Sequence, residues 1–177
     1  MQVESGAISF IAADAEYLPL ADSSVDGVVS SLAIQWCSQL RLLFSELMRV
    51  LKPGGWACIA TLGPATLHEL KSAWQAVDDC VHVNGFASQV QVQHAMNEAG
   101  CENVAIVNTR ELCHYSSLAP LLKGLKGIGA HNSHPCAPTG LMTPAKFKTL
   151  AEHYPRTGEG EFVASYDCLY LSFKKPK

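Results

Sequence analysis

Histidines and cysteines are the residues here whose types suit metal binding or nucleophilic catalysis. His131, His134 and Cys136 lie close together in the run HNSHPC. Two histidines three residues apart in a proline-containing loop lack the second ligand pair of a typical zinc site, so we expect no metal. The remaining histidines have no nucleophile near them that suggests a catalytic triad, and we interpret them as surface or packed side chains: His68, His82, His94, His114 and His153.

The cysteines do not form a pattern either. They are scattered, odd in number and never spaced as CxxC, which argues against a disulfide framework and predicts buried free thiols in a reducing compartment: Cys37, Cys58, Cys80, Cys101, Cys113, Cys136 and Cys168. The first ten residues are too short and polar for a signal peptide, and no apolar run is long enough to cross a bilayer. We therefore expect a cytoplasmic protein that does not bind membranes.

Composition and charge describe a compact globular chain. Of the 177 residues, 48% are hydrophobic and 16% are charged, and the net charge is -3. No long basic run is present, so nothing predicts nucleic-acid binding. The length suits one domain, and we expect residues 1–177 to form a single domain.

The elements that must position any site alternate between strands and helices. Short apolar runs predict buried strands at Ile8–Ala13, Gly27–Leu32 and Trp56–Leu62, and further strands are predicted at Asn103–Glu111 and Phe162–Phe173. Helical periodicity appears in the segments between them. It predicts helices beginning near Leu40, Leu67, Ser88, Leu118 and Thr143, with a loop at 129–140. This order predicts an α/β sheet with helices on both faces and a ligand site at the carboxyl ends of its strands.

The segment AADAEYLPLADSSVDGVVSSLAIQWC, together with LMRVLKPGG, resembles the middle of a class I methyltransferase that uses S-adenosylmethionine. The resemblance implies a Rossmann-like sheet. It also implies that Asp14 and Ala15 contact the adenine of the cofactor, since a carboxylate and a neighbouring amide can bind its edge. Ser30, Ser31 and Leu32 should line the cofactor cleft.

The runs AIQWC, TLGPATLHELKSAWQAVDD and LKGIGA narrow the resemblance to the malonyl-acyl-carrier-protein O-methyltransferases of biotin synthesis, the BioC type. The family implies methyl transfer to the free carboxylate of a malonyl thioester, with acyl carrier protein as partner. A carboxylate is already an anionic nucleophile, so we expect no catalytic acid–base residue. The enzyme mainly aligns the reacting atoms and removes water.

Four residues are candidates for substrate binding. Lys123 and Lys126 are three residues apart on one edge of a predicted helix and can clamp a carboxylate, although both also suit a solvated surface. The family pattern has an arginine at the position of Lys123, and a lysine there keeps the charge without the two-pronged geometry. Gln35 and Trp36 are expected in the cleft, with a core position as the alternative for Trp36.

The sequence departs from the family at its beginning. The DxGxGxG-type loop and the acidic residue after the second strand do not precede Phe10. We therefore expect an N-terminally truncated sheet without its first two strands, which would bind S-adenosylmethionine weakly or not at all. Apolar edges at Ile8–Ala13 and Gly27–Leu32 would then promote self-association.

Two alternatives remain open at this stage. The chain can be a non-catalytic or partner-dependent half that binds the acidic carrier protein through Lys123, Lys126, Lys146 and Lys148. It can also be a methyltransferase for another small carboxylic acid.

Overall fold

A mixed four-stranded sheet organises the chain. The computed structural model describes residues 8–127 and 142–177. Within them the strands are β1 (Val25–Ser31), β2 (Leu51–Leu62), β3 (Glu102–Tyr115) and β4 (Phe162–Lys174). Their order across the sheet is β1-β2-β4-β3, with β1 and β2 parallel and β4 antiparallel to both of its neighbours. Four of the five predicted strands are confirmed, and β2 and β3 are longer than predicted.

The predicted strand at Ile8–Ala13 is wrong. These residues are not in a strand, and Ile8 and Phe10 are 82% and 94% exposed. An apolar run becomes a strand only when a neighbouring strand pairs with its backbone. Among the described residues β1 pairs with β2 alone, and no strand pairs with residues 8–13.

In the described parts of the chain, five α-helices and one 3-10 turn connect and cover the strands, and they confirm the helical periodicity. The turn is Ile34–Trp36, and the helices are α1 (Leu40–Val50), α2 (His68–Trp74), α3 (Gln89–Glu98), α4 (Leu118–Gly127) and α5 (Pro144–His153). The predicted loop at 129–140 and the HNSHPC run lie outside the described residues.

The helix starts are fixed by nearby polar side chains. Ser88, where a helix was predicted to begin, forms a capping box with Gln91 on α3, and the Thr143 hydroxyl accepts a hydrogen bond from the Lys146 amide at 3.2 Å at the start of α5. In α1 the cap comes from elsewhere in the sequence. The buried carboxylate of Glu16 accepts a hydrogen bond from the Gln39 amide at 2.7 Å, which satisfies one of the free donors of the first turn.

Arg49, near the end of α1, holds the loop that precedes β1. Its guanidinium donates to the carbonyls of Leu18 at 2.9 Å and Leu20 at 2.7 Å, and it pairs with Asp22 at 2.7 Å. Glu46 pairs with Arg49 at 2.8 Å and accepts from the Leu18 amide at 2.9 Å. The LPL segment is therefore fixed against the helix that follows β1.

The buried side chains form two hydrophobic clusters. The first cluster joins α1 and α3 to one face of the sheet, with Phe44 and Phe173 in edge-to-face contact at a centroid distance of 5.9 Å. The second cluster joins α2, α4 and α5 to the beginning of β4, around Leu121, Leu150 and Phe162. In β4 the even-numbered Phe162 and Ala164 belong to the second cluster, and the odd-numbered Leu169, Leu171 and Phe173 belong to the first. Even and odd positions of a strand face opposite sides, so helices pack on both faces of the sheet, as predicted. Val29 and Trp56, on the face opposite the first cluster, are exposed.

Candidate functional site

The carboxyl ends of β1 and β2 lie side by side and open into a cavity of about 260 Å³. Most of its wall is apolar, from Leu32 and Trp36 after β1 to Leu67 and Leu70 of the α2 region and Leu125 of α4. Five polar side chains also line it, and they are Gln35, Thr66, His82, Asn84 and Tyr166. Concave, largely apolar cavities with a few polar groups at this position of an α/β sheet are typical of ligand sites.

A residue in the left-handed backbone conformation turns the chain towards this cavity directly after β1. Leu32 has a φ of 50°, which is uncommon for a residue with a branched side chain, and its amide donates to the Ala60 carbonyl at 2.9 Å. The 3-10 turn Ile34–Trp36 follows at once, and it brings Gln35 and Trp36 to the cavity wall. The strained residue is therefore held by β2 at the point where the site begins.

In the side-chain amide of Gln35, the nitrogen has a hydrogen-bond partner, whereas the oxygen has none among the described residues. Its Nε2 donates to the Leu32 carbonyl at 2.6 Å. Its Oε1 is buried and has no hydrogen-bond partner among the described residues. A buried acceptor without a partner is costly, so this oxygen is suited to accept a hydrogen bond from a bound molecule.

The turn after β2 is shaped by Asp167 of β4. The Gly63 amide donates to the Asp167 carbonyl at 2.7 Å, and the Ala65 amide donates to its carboxylate at 3.1 Å. A Cβ atom on Gly63 would collide with that carboxylate, which explains the glycine. The turn places Thr66 and Leu67 in the cavity wall.

A buried polar contact holds α2 on β4 beside the cavity. Glu69, which is 7% exposed, accepts hydrogen bonds from both the amide of Ser165, at 3.2 Å, and its hydroxyl group. Arg110 of β3 donates to the same hydroxyl oxygen at 3.0 Å. The position of Leu67 and Leu70 in the wall thus depends on a contact between residues 96 positions apart in sequence.

His82 lies in the cavity wall within a fixed polar arrangement. Its ring stacks on Trp74 at a centroid distance of 3.5 Å, and its Nε2 lies 2.6 Å from Asp78 Oδ1. The other carboxylate oxygen of Asp78 accepts from Lys146 of α5 at 2.7 Å. These partners, Lys146 first and His82 second, hold the pKa of Asp78 well below its usual range, so the carboxylate is ionised near neutral pH.

The hydroxyl of Tyr166 stays neutral in the same wall. Burial, with a smaller contribution from Tyr115, raises the pKa of Tyr166 to about 12. At physiological pH it is therefore a neutral group that can donate or accept a hydrogen bond.

The residues predicted for the site are distributed over three places. Leu32, Gln35 and Trp36 line the cavity together. Ala15 and Ser30 line a second depression of about 370 Å³ between β1 and α1. Asp14 and Ser31 are exposed, and Asp14 Oδ1 accepts from the Glu16 amide at 2.9 Å.

Lys123 and Lys126 are both exposed on α4, on either side of Leu125, whose side chain lines the cavity. Neither lysine belongs to the lining of this cavity. They are therefore exposed cations on the helix that carries Leu125, outside the described lining.

Sequence reasoning missed several residues of the wall, notably Thr66, His82 and Tyr166. Thr66 lies inside the run TLGPATLHELKSAWQAVDD, which carried the family resemblance, and His82 follows three residues after that run. Their place in or beside that run was the sequence signal that could have identified Thr66 and His82 as residues of the site. Tyr166 has no local signal, because only the antiparallel return of β4 brings it to the cavity.

Two further observations concern the described part of the chain. No group of three or more histidine, cysteine or acidic side chains there is arranged to hold a metal ion. No helix there combines the length and apolar character needed to span a bilayer.

Comparisons with known proteins agree with this geometry. A family model described as a methyltransferase domain matches residues 1–59. Over 171 residues, 96% of this chain, the sequence is 44% identical to the biotin biosynthesis bifunctional protein BioHC of Cellvibrio japonicus. Over 168 residues, 93% of the chain, it is 40% identical to the malonyl-[acyl-carrier protein] O-methyltransferase of Dechloromonas aromatica. The predicted resemblance to this methyltransferase family is confirmed.

The matched relatives are longer proteins. The chain spans 34% of the Cellvibrio protein and 63% of the Dechloromonas protein. Their activities are therefore carried over to this chain only as a proposal.

Solved structures confirm the fold. A protein of Bacillus halodurans C-125, provisionally named a methyltransferase, superimposes with a TM-score of 0.65 and covers 96% of this chain and 78% of its own. The YcgJ protein of Bacillus subtilis gives a TM-score of 0.58, with coverages of 93% and 70%. The identities are 14% and 16%, so these two likenesses concern the Rossmann-like methyltransferase fold alone.

Proposed function

We propose that this chain takes part in methyl transfer from S-adenosylmethionine to the free carboxylate of malonyl-acyl carrier protein, a step of biotin synthesis. The names of the matched relatives support the reaction. The observation that carries the proposal is the apolar cavity at the carboxyl ends of β1 and β2, with Gln35 and Trp36 in its wall.

The cofactor would be held by residues of the loop before β1 and of the carboxyl end of β1. When bound, S-adenosylmethionine supplies a methyl group activated by the adjacent positively charged sulfur. Asp14 and Ala15 would contact the adenine, and Ser30, Ser31 and Leu32 would line the neighbouring cleft. The residues fit such a polar guest, because Asp14 is exposed and Gln35 Oε1 is a buried acceptor without a partner among the described residues. Since the 177 residues contain no DxGxGxG-type loop, we expect this chain to bind the cofactor weakly.

The substrate would enter through the apolar cavity. Gln35 and Trp36 would contact the malonyl group. Lys123 and Lys126 would attract its acidic carrier from the exposed side of α4. The carboxylate nucleophile carries its own charge and needs no general base. The cavity therefore contributes by excluding water and limiting the orientations of the bound group.

A second candidate function is carrier-protein binding without catalysis. The exposed Lys123 and Lys126 beside the cavity favour it, because acyl carrier proteins are acidic. Lys148 of α5 is also exposed and adds a further surface cation, with its Nζ 3.9 Å from Glu152.

One experiment separates the two functions. The purified chain is incubated with malonyl-acyl carrier protein and S-adenosylmethionine at millimolar concentration, and the methyl ester is detected by mass spectrometry of the carrier. Acetyl-acyl carrier protein, which lacks the free carboxylate, is the matched control. The proposal predicts a methyl ester on the malonyl carrier alone.

Binding of the carrier is measured in parallel by calorimetry. Binding without ester formation, even at millimolar cofactor, would replace the catalytic proposal by the second candidate. An Asp14→Ala variant should raise the cofactor concentration needed for half-maximal ester formation by roughly ten-fold, the loss expected for one charge-assisted hydrogen bond. The control Asp26→Ala, whose side chain is 84% exposed, should leave that concentration unchanged.

A further inference from the structure

The polar residues of the cavity wall differ in their ability to carry charge. Gln35, Thr66 and Asn84 are neutral at every accessible pH, and Tyr166 stays protonated well above neutrality. His82 is the one residue among the described lining whose side chain can carry a positive charge. An anionic group inside the cavity would therefore meet its counter-charge at His82.

Asp78 fixes which nitrogen of the ring carries the proton. An ionised carboxylate only accepts hydrogen bonds, so the contact of 2.6 Å assigns a proton to His82 Nε2. The second nitrogen, Nδ1, is then a lone-pair acceptor in the neutral ring and a donor in the protonated ring. Any hydrogen bond from the ring to a carboxylate in the cavity must come from the protonated form through Nδ1.

Charged groups lie close to the ring. Asp78 contributes one negative charge, and Lys146 balances it from α5 at 2.7 Å. Protonated His82 consequently adds one net positive charge to a largely apolar cavity. The other titratable groups around the ring are Lys71, Asp79 and Cys80, which line the depression on its other side, and Tyr166 across the cavity.

Packing keeps the ring in one orientation. Trp74 covers one face of the ring at an interplanar angle of 3°, and the His82 side chain is only 8% exposed. Trp74 belongs to the second cluster, so the stacking surface is itself rigid. A ring fixed on one face and at one nitrogen has little orientational freedom left to lose when a ligand binds.

We propose that His82 contacts the free carboxylate of the substrate and gives the site its preference for an acidic acyl group. This inference rests on the proposed function, because it identifies the group that recognises the malonyl end. Asp78 and Lys146 are positioning residues that act through His82. Lys123 and Lys126 would then serve the carrier, outside the cavity.

The test compares two probes that differ by the carboxylate. The affinities of the chain for malonyl-coenzyme A and acetyl-coenzyme A are measured by calorimetry at pH 6 to 8.5. The native chain should prefer the malonyl probe, because the free carboxylate is the feature that acetyl-coenzyme A lacks.

Three variants locate the effect. His82→Gln should lower the malonyl-to-acetyl preference by about ten-fold or more, the usual loss for a hydrogen bond to a charged group. Asp78→Asn should keep part of the preference and change the NMR signals of the ring nitrogens, because the ring is no longer oriented by a carboxylate. The control His94→Gln, on the exposed face of α3 with a side chain 74% exposed, should change neither quantity.

A folding defect is distinguished from a recognition defect by the ratio itself. A general loss of structure in the cavity would lower the affinity for both probes and leave the ratio of the two affinities unchanged. In parallel, the His82 ring nitrogens are followed by NMR, and Nδ1 should respond to the malonyl probe but not to the acetyl probe.

The possible results separate this inference from the proposed function. An unchanged malonyl-to-acetyl ratio in His82→Gln would overturn the role of His82 even if methyl-ester formation persists. A native chain that binds both probes equally would overturn it as well. If neither probe binds, the role of His82 is overturned, and the methyl-ester assay on malonyl-acyl carrier protein decides the proposed function separately.

Discussion

The two hydrophobic clusters are built on different principles. The first cluster joins α1 and α3 to the sheet through apolar side chains such as Phe44, Met96 and Phe173. The second cluster has polar groups between its elements. Glu69 of α2 binds Ser165 of β4, and the Tyr154 hydroxyl donates to the Val163 carbonyl at 2.7 Å.

This difference separates stability from geometry. Apolar contacts are non-directional and stabilise any close packing of the right volume. Buried hydrogen bonds are directional and fix one relative position of two elements, at the risk of a large penalty when a partner is missing. The cavity is lined by residues of the second cluster and their neighbours, so the polar contacts lie where positions matter most.

The largest expected effect comes from breaking the first cluster. Phe44 is fully buried and lies against Phe173, so Phe44→Ala should lower the free energy of unfolding by about 3–5 kcal/mol. Urea denaturation measures this loss. Val90→Ala, at a residue of α3 that is 77% exposed, is the control and should change stability by less than about 0.5 kcal/mol. A loss below about 1 kcal/mol for Phe44→Ala would mean that the first cluster repacks easily.

The second cluster should respond less in stability but more at the cavity. Glu69→Leu leaves the buried amide and hydroxyl of Ser165 without this acceptor, which should lower the free energy of unfolding by about 1–3 kcal/mol. Glu69→Gln keeps one acceptor oxygen and should recover part of the loss. Because α2 carries part of the cavity wall, Glu69→Leu should also weaken binding of malonyl-coenzyme A more than the costlier Phe44→Ala does.

That comparison has a clear contrary result. If Phe44→Ala and Glu69→Leu reduce probe affinity in proportion to their effects on stability, the polar contacts have no special role in positioning the wall. Denaturation and calorimetry on the same samples decide this.

The smallest expected effect is the pH dependence of the unfolding free energy that comes from Asp78, beside the second cluster. The pKa of Asp78 is lowered in the folded chain, mainly by Lys146 and then by His82, so its contribution to stability is present above the unfolded pKa of about 4. It is lost as the pH falls through the lower folded value. The difference in unfolding free energy between the native chain and Asp78→Asn should therefore be constant near neutral pH and shrink below pH of about 4.

Both partners of Asp78 set the scale of this effect. Lys146 is partly exposed, so we expect a smaller change than for either core substitution. Asp26→Asn, which removes an exposed pair with Lys52, is the control and should show no comparable pH dependence. A difference that grows towards acid would contradict the lowered pKa.

Much of the fold could be predicted because its signals are local. The apolar period of α1, the Ser88–Gln91 capping box and the Thr143–Pro144 start of α5 all depend on residues within one or two turns. Leu32, Gln35 and Trp36 line one cavity, because they directly follow a strand whose carboxyl end lies at the ligand edge, and their roles in binding stay predictions.

The failures have a common physical cause in contacts that are distant in sequence. Ile8–Ala13 has the composition of a strand but no partner strand among the described residues. Tyr166 reaches the cavity only through the antiparallel pairing of β4, and Asp78, which holds His82, is itself bound by Lys146 from 68 positions away. No periodicity or cap records such contacts.

The sequence by itself determined the order and type of the elements, the start of most helices and the family that the chain resembles. These depend on backbone propensity, caps and short-range periodicity, all of which act between neighbouring residues. Only the tertiary structure decided that Glu69 meets Ser165, that Asp167 shapes the turn at Gly63, and that Asp78 holds His82 in the wall of the cavity. The energy of a buried polar contact depends on what surrounds both partners, and that environment exists only after the sheet and its helices have come together.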